Sequence, residues 1–597
     1  LAAARFAFPH AWRACPWALI TVIALVALQG LSVACSAMLV AQTITLITTP
    51  GQAVLSPWWL GSTWVLLVVI EFVLSPLLFW ATGVLNERMT ARIHTEMITK
   101  SLKIEDLALF DNADLHDEVS ILADEASSRP VNIVILFSSI LRSTVATISV
   151  AAILASIAWW LPLAMLALSM PLARSIIRLR SLTHQALLNR TRESRYLDYL
   201  ARLPLSAQAA KELRLFRFGS RILDTYNRTF HTLHTNSQKV RTRETCRAMP
   251  GIMLSCLGYL TCLWWFVHSG ITGRLPVATV VLGLQSVMGM QATLTSLVET
   301  FGFVGERALF YAKFNDFLRR PPTLRDGRHE ISRFESLEFR DVHFTYPGNS
   351  VPTLCGLSFR ITAGQKLAIV GENGAGKSTL FKLIARFYDP DRGHILVNGT
   401  PLNELRIASW RRLISAVFQD YAHYNFSLAD NVTLSDLHAN RGLPSKELHT
   451  IGLDPGINGL PELNDMLGRD FGGTELSTGQ WQRIAIARRA YRKHDLLLLD
   501  ESTSSLDPNA EEHALQSFLH ISAGKTVLFI THRLAAVYLF DQILHIDDGK
   551  LHATGTHQHL LKTNTLYSQM ITNQAKHYKN LDRENLSGNP GNQTAAR

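Results

Sequence analysis

The feature that most constrains this chain is a set of apolar stretches long enough to cross a bilayer. A hydrocarbon core of about 30 Å takes roughly 20 helical residues, and several stretches before residue 300 reach that length. Pro16 to Ile47 carries no charge, and Trp58 to Leu85 carries one, Glu71. Val131 to Ala173 is long enough for two spans joined at "SIAWWLP", with Arg142 as its one charge. Met249 to Val267 and Leu275 to Val298 form a further pair around "HSGITGR". Core helices of soluble proteins rarely run so far without a polar face. Six spans are therefore predicted, at 16–47, 58–85, 131–156, 159–180, 249–268 and 275–300. The first run is too long for the apolar segment of a cleaved signal peptide and lacks a convincing small-residue cleavage site.

Lys and Arg favour the cytoplasmic side of a membrane. Arg174 to Arg247 holds sixteen basic residues against five acidic ones, whereas "ITTPGQAVLSP" holds none of either. Both termini are thus expected in the cytoplasm, and the net charge of +10 follows largely from this loop bias. No basic-aromatic motif supports nucleic-acid binding. The two long charged stretches have helical spacing and few breakers. The membrane helices are expected to continue into the cytoplasm and turn back near Phe110 to His116 and Leu213 to Arg221, tips placed to touch a soluble domain. The six cysteines, at 15, 35, 246, 256, 262 and 355, show no CxxC spacing, so neither zinc nor a redox motif is indicated.

The overall hydrophobic share of 47% averages a greasy first half with a charge-studded second half. About 600 residues also exceed what one core holds. The predicted division is a membrane domain over 1–320, a polar linker over 321–335, a soluble domain over 336–575 and a disordered tail over 576–597. In the soluble part, "QKLAIVG" reads as a strand running into "VGENGAGKST" and then a helix, the context that G-x-x-x-x-G-K-[ST] requires. Gly371, Gly374 and Gly376, with Asn373 and Ala375 between them, bend the backbone so that N–H groups face a phosphate. The helix start at Lys377, Ser378 and Thr379 adds a positive dipole. Lys377 is placed for the β- and γ-phosphates of ATP and Ser378 for Mg²⁺. "DLLLLDE" supplies a buried strand ending in Asp500, a holder of Mg²⁺ or its water, and Glu501, which can polarise an attacking water.

"ELSTGQWQRIAIARR" resembles the signature motif of ATP-binding cassette (ABC) proteins. Tyr346 in "FTYPG" looks like the adenine-stacking aromatic, Gln419 in "AVFQD" like the Q-loop, Asp507 closing "SSLD" like the D-loop, and His532 in "ITHRL" like the switch histidine. With six spans ahead of them, these motifs make the chain similar to an exporter-type half-transporter from about residue 12 to 575. The resemblance implies an all-α membrane domain of six helices plus an α/β P-loop ATPase domain with an antiparallel β subdomain and a helical subdomain. It also implies that two chains close on two ATP molecules, with Ser477, Gly479 and Gln480 acting across the interface. Glu501 is then the general base, His532 holds the γ-phosphate and water, and Gln419 links Mg²⁺ to the membrane-domain contact. A bacterial inner-membrane location follows by analogy.

Two positions depart from the family pattern. Thr478 stands where the signature usually has glycine, and Arg469 where exporters usually have glutamate. Retention of Glu501 and His532 favours a homodimer over a heterodimer. About fifteen residues precede the first span, so a self-processing peptide exporter with a Cys/His peptidase domain is not expected. "AKELRLFRFGSRI" and "GRDFGGTELSTGQWQR" are similar to stretches in bacterial exporters of modified peptides, with multidrug or lipid export as alternatives. An importer on the same architecture and a non-transporting regulator are the competing function classes. Glu71 at the bilayer centre has two readings, a polar substrate cavity shared with Arg142 or a structural inter-helix hydrogen bond. Gln285 and Gln291 are further candidates on the last span.

Overall fold

The computed structural model describes residues 2–49, 56–107, 129–188, 192–437, 459–500, 524–531 and 534–572, with isolated positions between these ranges. The chain divides into two compact units, one of Leu1–Leu102 with Asp117–Arg320, the other of Lys103–His116 with Pro321–Arg597.

The first unit is helical: α1 (Ala2–Ala14), α2 (Pro16–Thr48), α3 (Pro57–Leu102), α4 (Arg129–Ile157), α5 (Leu161–Leu188), α6 (Arg192–Arg202), α7 (Ala207–Phe216), α8 (Gly219–Ile271) and α9 (Val277–Arg319). Six of its helices contain segments long and apolar enough to cross a membrane, in α2, α3, α4, α5, α8 and α9. The chain is a multi-pass membrane protein. Two helices far outrun a bilayer, α3 with 46 residues and α8 with 53, because their charged extensions keep helical spacing after the apolar run ends. The chain reverses between α7 and α8 at Arg217, whose φ of 52° ends α7 in the left-handed region. Within the unit α4 packs on α2 and α9, and α5 on α8. Close approach rests on small residues, as hydrocarbon offers no hydrophobic drive between helices. A Cβ at Gly283 of α9 would stand 2.0 Å from the Phe266 ring of α8.

The second unit holds two sheets. Strands β1 (Ser336–Phe344), β2 (Leu354–Thr362), β4 (Arg392–Val397) and β5 (Thr400–Pro401) form an antiparallel sheet in the order β2-β1-β4-β5. The second sheet runs β10-β9-β3-β8-β7-β6. Its members are β3 (Lys366–Val370), β6 (Ile414–Val417), β7 (Leu496–Asp500), β8 (Thr526–Ile530), β9 (Gln542–Asp547) and β10 (Lys550–Gly555). Strands β9, β3, β8, β7 and β6 pair in parallel, and β10 adds an antiparallel edge. Every residue of β7 and β8 is buried, which explains their continuous apolar runs. Among the described residues the unit's helices are α10 (Lys377–Ile384), α11 (Ile407–Arg412), α12 (Leu428–Thr433), α13 (Thr478–Tyr491) and α14 (His557–Thr563). One face of α13 buries Trp481, Ile484 and Ala487 against Leu428, Val432 and Leu467, a separate small core.

The segment read as a polar linker is bonded along the second unit. Gly327 N–H donates to Leu405 O at 3.2 Å, Ile407 N–H to Asp326 Oδ1 at 2.7 Å, and Phe334 enters the core at 2% exposure. Lys103–His116 also belongs to this unit. Arg411 of α11 donates to the Glu105 carboxylate at 2.6 Å and to Glu105 O at 2.8 Å, and the Tyr388 hydroxyl donates to Asp111. The tail over 576–597 lies outside the described residues.

Candidate functional site

The central strand β3 ends at Val370, and the chain turns through Gly371 to Gly376 into α10. Glycine at 371 is dictated by crowding, because a Cβ there would sit 1.9 Å from Ile546 O. Gly374 and Gly376 have φ of 86° and 94°, a region that disfavours side chains. Asn373 and Gly374 are exposed, while Ala375 packs into the core below them. The result is a loop whose backbone faces outward ahead of a helix N-terminus, the arrangement that binds phosphate.

Lys377 is 5% exposed and its ammonium donates to Gly371 O at 3.0 Å and Glu372 O at 2.6 Å. Burial pushes its pKa down to about 8, with the Asp500 charge opposing. Asp500 closes β7 and receives a hydrogen bond from Ser378. Burial raises the Asp500 carboxyl above the usual range, against the pull of Ser378 and Lys377. Its Oδ1 is buried without a hydrogen-bond partner. An unmatched carboxylate oxygen beside a serine hydroxyl fits a hard cation with oxygen ligands. Lys377 and Ser378, neighbours in sequence, thus meet the distant Asp500.

Tyr346 sits at the same end of the sheet. Its hydroxyl pairs with Thr379 Oγ1 at 3.0 Å, Lys382 Nζ lies 5.0 Å from its ring centroid, and Phe344 and Tyr388 contact it edge-on. The half-buried ring is thereby held upright beside the loop. Gln419 is exposed just after β6. Glu501, Asp507 and His532 lie outside the described residues.

The helix α13 starts at the signature. Ser477 caps it, accepting from Gln480 N–H at 3.3 Å while Gln480 Oε1 accepts from Ser477 N–H at 2.9 Å, a reciprocal capping box. No Cβ contact restricts Gly479 within 4 Å. Thr478 is exposed, so its branched side chain points off the helix start without crowding it. Arg469 is also exposed and pairs with Glu475 at 3.3 Å. Among the described residues no hydrogen bond joins Ser477, Gly479 or Gln480 to the P-loop of the same chain.

Sequence reading missed the ties between this helix and the segment after Gln419. Tyr421 donates to Thr478 O at 3.1 Å, and the His423 ring stacks on Trp481 at 4.5 Å. Arg488 donates to Ala422 O at 2.8 Å, Asn431 O at 3.0 Å and Asn431 Oδ1 at 2.7 Å, and lies over the Tyr424 ring. Asn431 is fully buried, and its amide donates to Tyr424 O and Ser427 O. "YAHYNFSLADN" has no short motif; a polar Asn inside an apolar α12 pattern was the available signal.

In the membrane unit, Glu71 and Arg142 line one cavity of about 690 Å³. Gln285 is half-buried and Gln291 exposed, and neither lines it, although Thr293 and Ser296 of the same helix do.

Comparison with known proteins bears on both units. A family model described as ABC transporter matches residues 354–504. The chain is 28% identical over 508 residues to the subtilin transport ATP-binding protein SpaT of Bacillus subtilis, covering 80% of this chain and 79% of that protein. It is 33% identical over 342 residues to the ATP-dependent lipid A-core flippase of Xylella fastidiosa, spanning 57% of that relative. A glutathione/L-cysteine transport protein of Escherichia coli, CydC, is 30% identical over 379 residues and is covered over 65% of its length. The fold matches a bacterial Atm1-family ABC exporter solved with ATP bound, with a TM-score of 0.78 at 22% identity over 94% of this chain and 99% of that one.

Proposed function

We propose that this chain, whose residues 354–504 match the ABC transporter family model and whose fold matches an ABC exporter, is an exporter-type ABC transporter that couples ATP hydrolysis to transport and works as a homodimer exporting a modified peptide, a drug-like or a lipid-like molecule. The observation that carries the reading is one chain holding both six membrane-crossing helices and a P-loop whose Lys377, Ser378 and Asp500 are assembled.

Each step uses a named group. Backbone N–H groups of 371–376 and the start of α10 bind the ATP phosphates, and Lys377 moves from Gly371 O and Glu372 O to the β- and γ-phosphates. Tyr346 offers its ring to adenine, with Lys382 beside it. Mg²⁺ would be held by Ser378 and Asp500, with Gln419 nearby, and supplies charge neutralisation at the phosphates when bound. Glu501 takes a proton from the attacking water, and His532 orients that water and the γ-phosphate. Asp507 is given the D-loop role that the family resemblance implies. Ser477 and Gln480 cap each other and nothing lies within 4 Å of a Cβ at Gly479, which supports a helix start open to the partner chain's γ-phosphate. Two chains therefore complete two sites, and closure drives alternating access.

Both termini and the ATPase unit are assigned to the cytoplasmic side of a bacterial inner membrane, from the basic loop bias. The substrate enters from lipid or cytoplasm, and Glu71 and Arg142 are its proposed contacts. The test is Glu501→Gln in the full chain, which is expected to abolish ATP hydrolysis while retaining ATP binding and accumulating the closed dimer. Near-normal turnover would remove Glu501 as the base. Uptake of substrate into inside-out vesicles establishes direction, and uptake only into right-side-out vesicles would reverse it.

A further inference from the structure

Glu71 and Arg142 stand near the middle of their apolar stretches, on α3 and α4, where an unpaired charge is costly. They share one cavity, yet among the ion pairs of the described residues none joins them. The neighbouring hydroxyls do not serve them. Ser143 pairs with Ser296 at 3.1 Å and Thr147 donates to Thr293 at 3.0 Å, so α4 and α9 satisfy each other.

A third group on the same wall is also unmatched. Gln29 Nε2 reaches Ser75 Oγ at 3.5 Å, while Gln29 Oε1 is buried with no partner. An adjoining cavity of about 350 Å³ is lined by Gln29, Ser75 and Arg142 again, and adds the apolar Leu78, Phe79 and Ile135. The combined space thus presents one anionic acceptor, Glu71, one fixed cation, Arg142, and an apolar arm, with Gln29 in the wall common to both cavities.

We propose that this site takes an amphoteric, peptide-like ligand, with an amine facing Glu71, a carboxylate facing Arg142, and an apolar side chain in the adjoining arm. A purely cationic ligand would leave Arg142 unmatched, an anion would leave Glu71 unmatched, and an acyl chain would serve neither. The proposal rests on the transport reading above and narrows its substrate.

The experiment uses the full chain in liposomes with Mg-ATP and four forms of trileucine as probes: free termini, N-acetylated, C-amidated, and both blocked. Half-saturating concentrations are read from ATPase stimulation and from direct binding. Blocking either terminus of trileucine should raise the half-saturating concentration about tenfold or more, the value of one charge-assisted hydrogen bond. In Glu71→Gln the N-acetyl penalty should vanish and the C-amide penalty persist; Arg142→Gln should show the reverse. Equal response of the wild-type protein to all four forms, or no response to any while it hydrolyses ATP, overturns the ligand class and leaves the transporter reading standing. Absence of ATP hydrolysis in the wild-type protein overturns the transporter reading itself. Should either variant misfold, the wild-type series alone decides.

Discussion

Arg488 offers the most quantitative test of how the nucleotide unit is held together. Its guanidinium makes three hydrogen bonds, to Ala422 O, Asn431 O and Asn431 Oδ1, at 2.7 to 3.0 Å. Truncation in Arg488→Ala leaves three oxygens short of a donor, two of them on the fully buried Asn431. A hydrogen bond to a charged group is worth about 1.5–3 kcal/mol, and because three bonds from one side chain are not additive their loss together should cost about 3–5 kcal/mol. At about 2–4 °C per kcal/mol for a domain of this size, the melting transition of the ATPase unit should drop by roughly 6–20 °C. Arg488→Lys keeps the charge but not the planar fork, and should recover less than half of that loss. The assay is thermal unfolding of the purified full chain followed by near-UV circular dichroism, paired with ATP turnover. Turnover should fall even below the new transition, since Ala422 and the signature helix share this anchor. An unchanged transition in Arg488→Ala would show that these bonds contribute nothing net and refute the reasoning.

The remaining predictions concern the loop and the signature. Because burial holds Lys377 at about 8, raising pH from about 7.5 to 9 should deprotonate it in the free protein and weaken ATP binding. Calorimetry in buffers of different ionisation enthalpy should then detect proton uptake on binding, and Lys377→Arg should flatten the pH profile. Gly371→Ala drives a Cβ to 1.9 Å from Ile546 O, so ATP binding should be lost, measured by fluorescent-nucleotide titration. Thr478→Gly removes a side chain exposed in the single chain, so the melting transition of the ATPase unit should move by no more than about 2 °C, read by thermal unfolding.

What the sequence by itself determined was whatever depends on local backbone chemistry or on run length. The six spans follow from apolar length. The phosphate loop follows from glycines spaced so that a strand can turn directly into a helix, and Thr478 and Arg469 could be flagged because their motifs are contiguous. Other features depend on residues far apart in the chain. Ser378 reaches Asp500 only because β3, β8 and β7 lie side by side, in an order the sequence does not follow. Arg488 finds Asn431 and Ala422 because α13 packs across α12. A turn of helix carries no information about which distant turn it will meet, so Glu71 and Arg142 could be singled out as costly charges in apolar runs, but not placed in one cavity. Packing of α3 against α2 and α4 decided that. It also left Gln29 Oε1, a residue that attracted no notice in the sequence, facing inward without a partner.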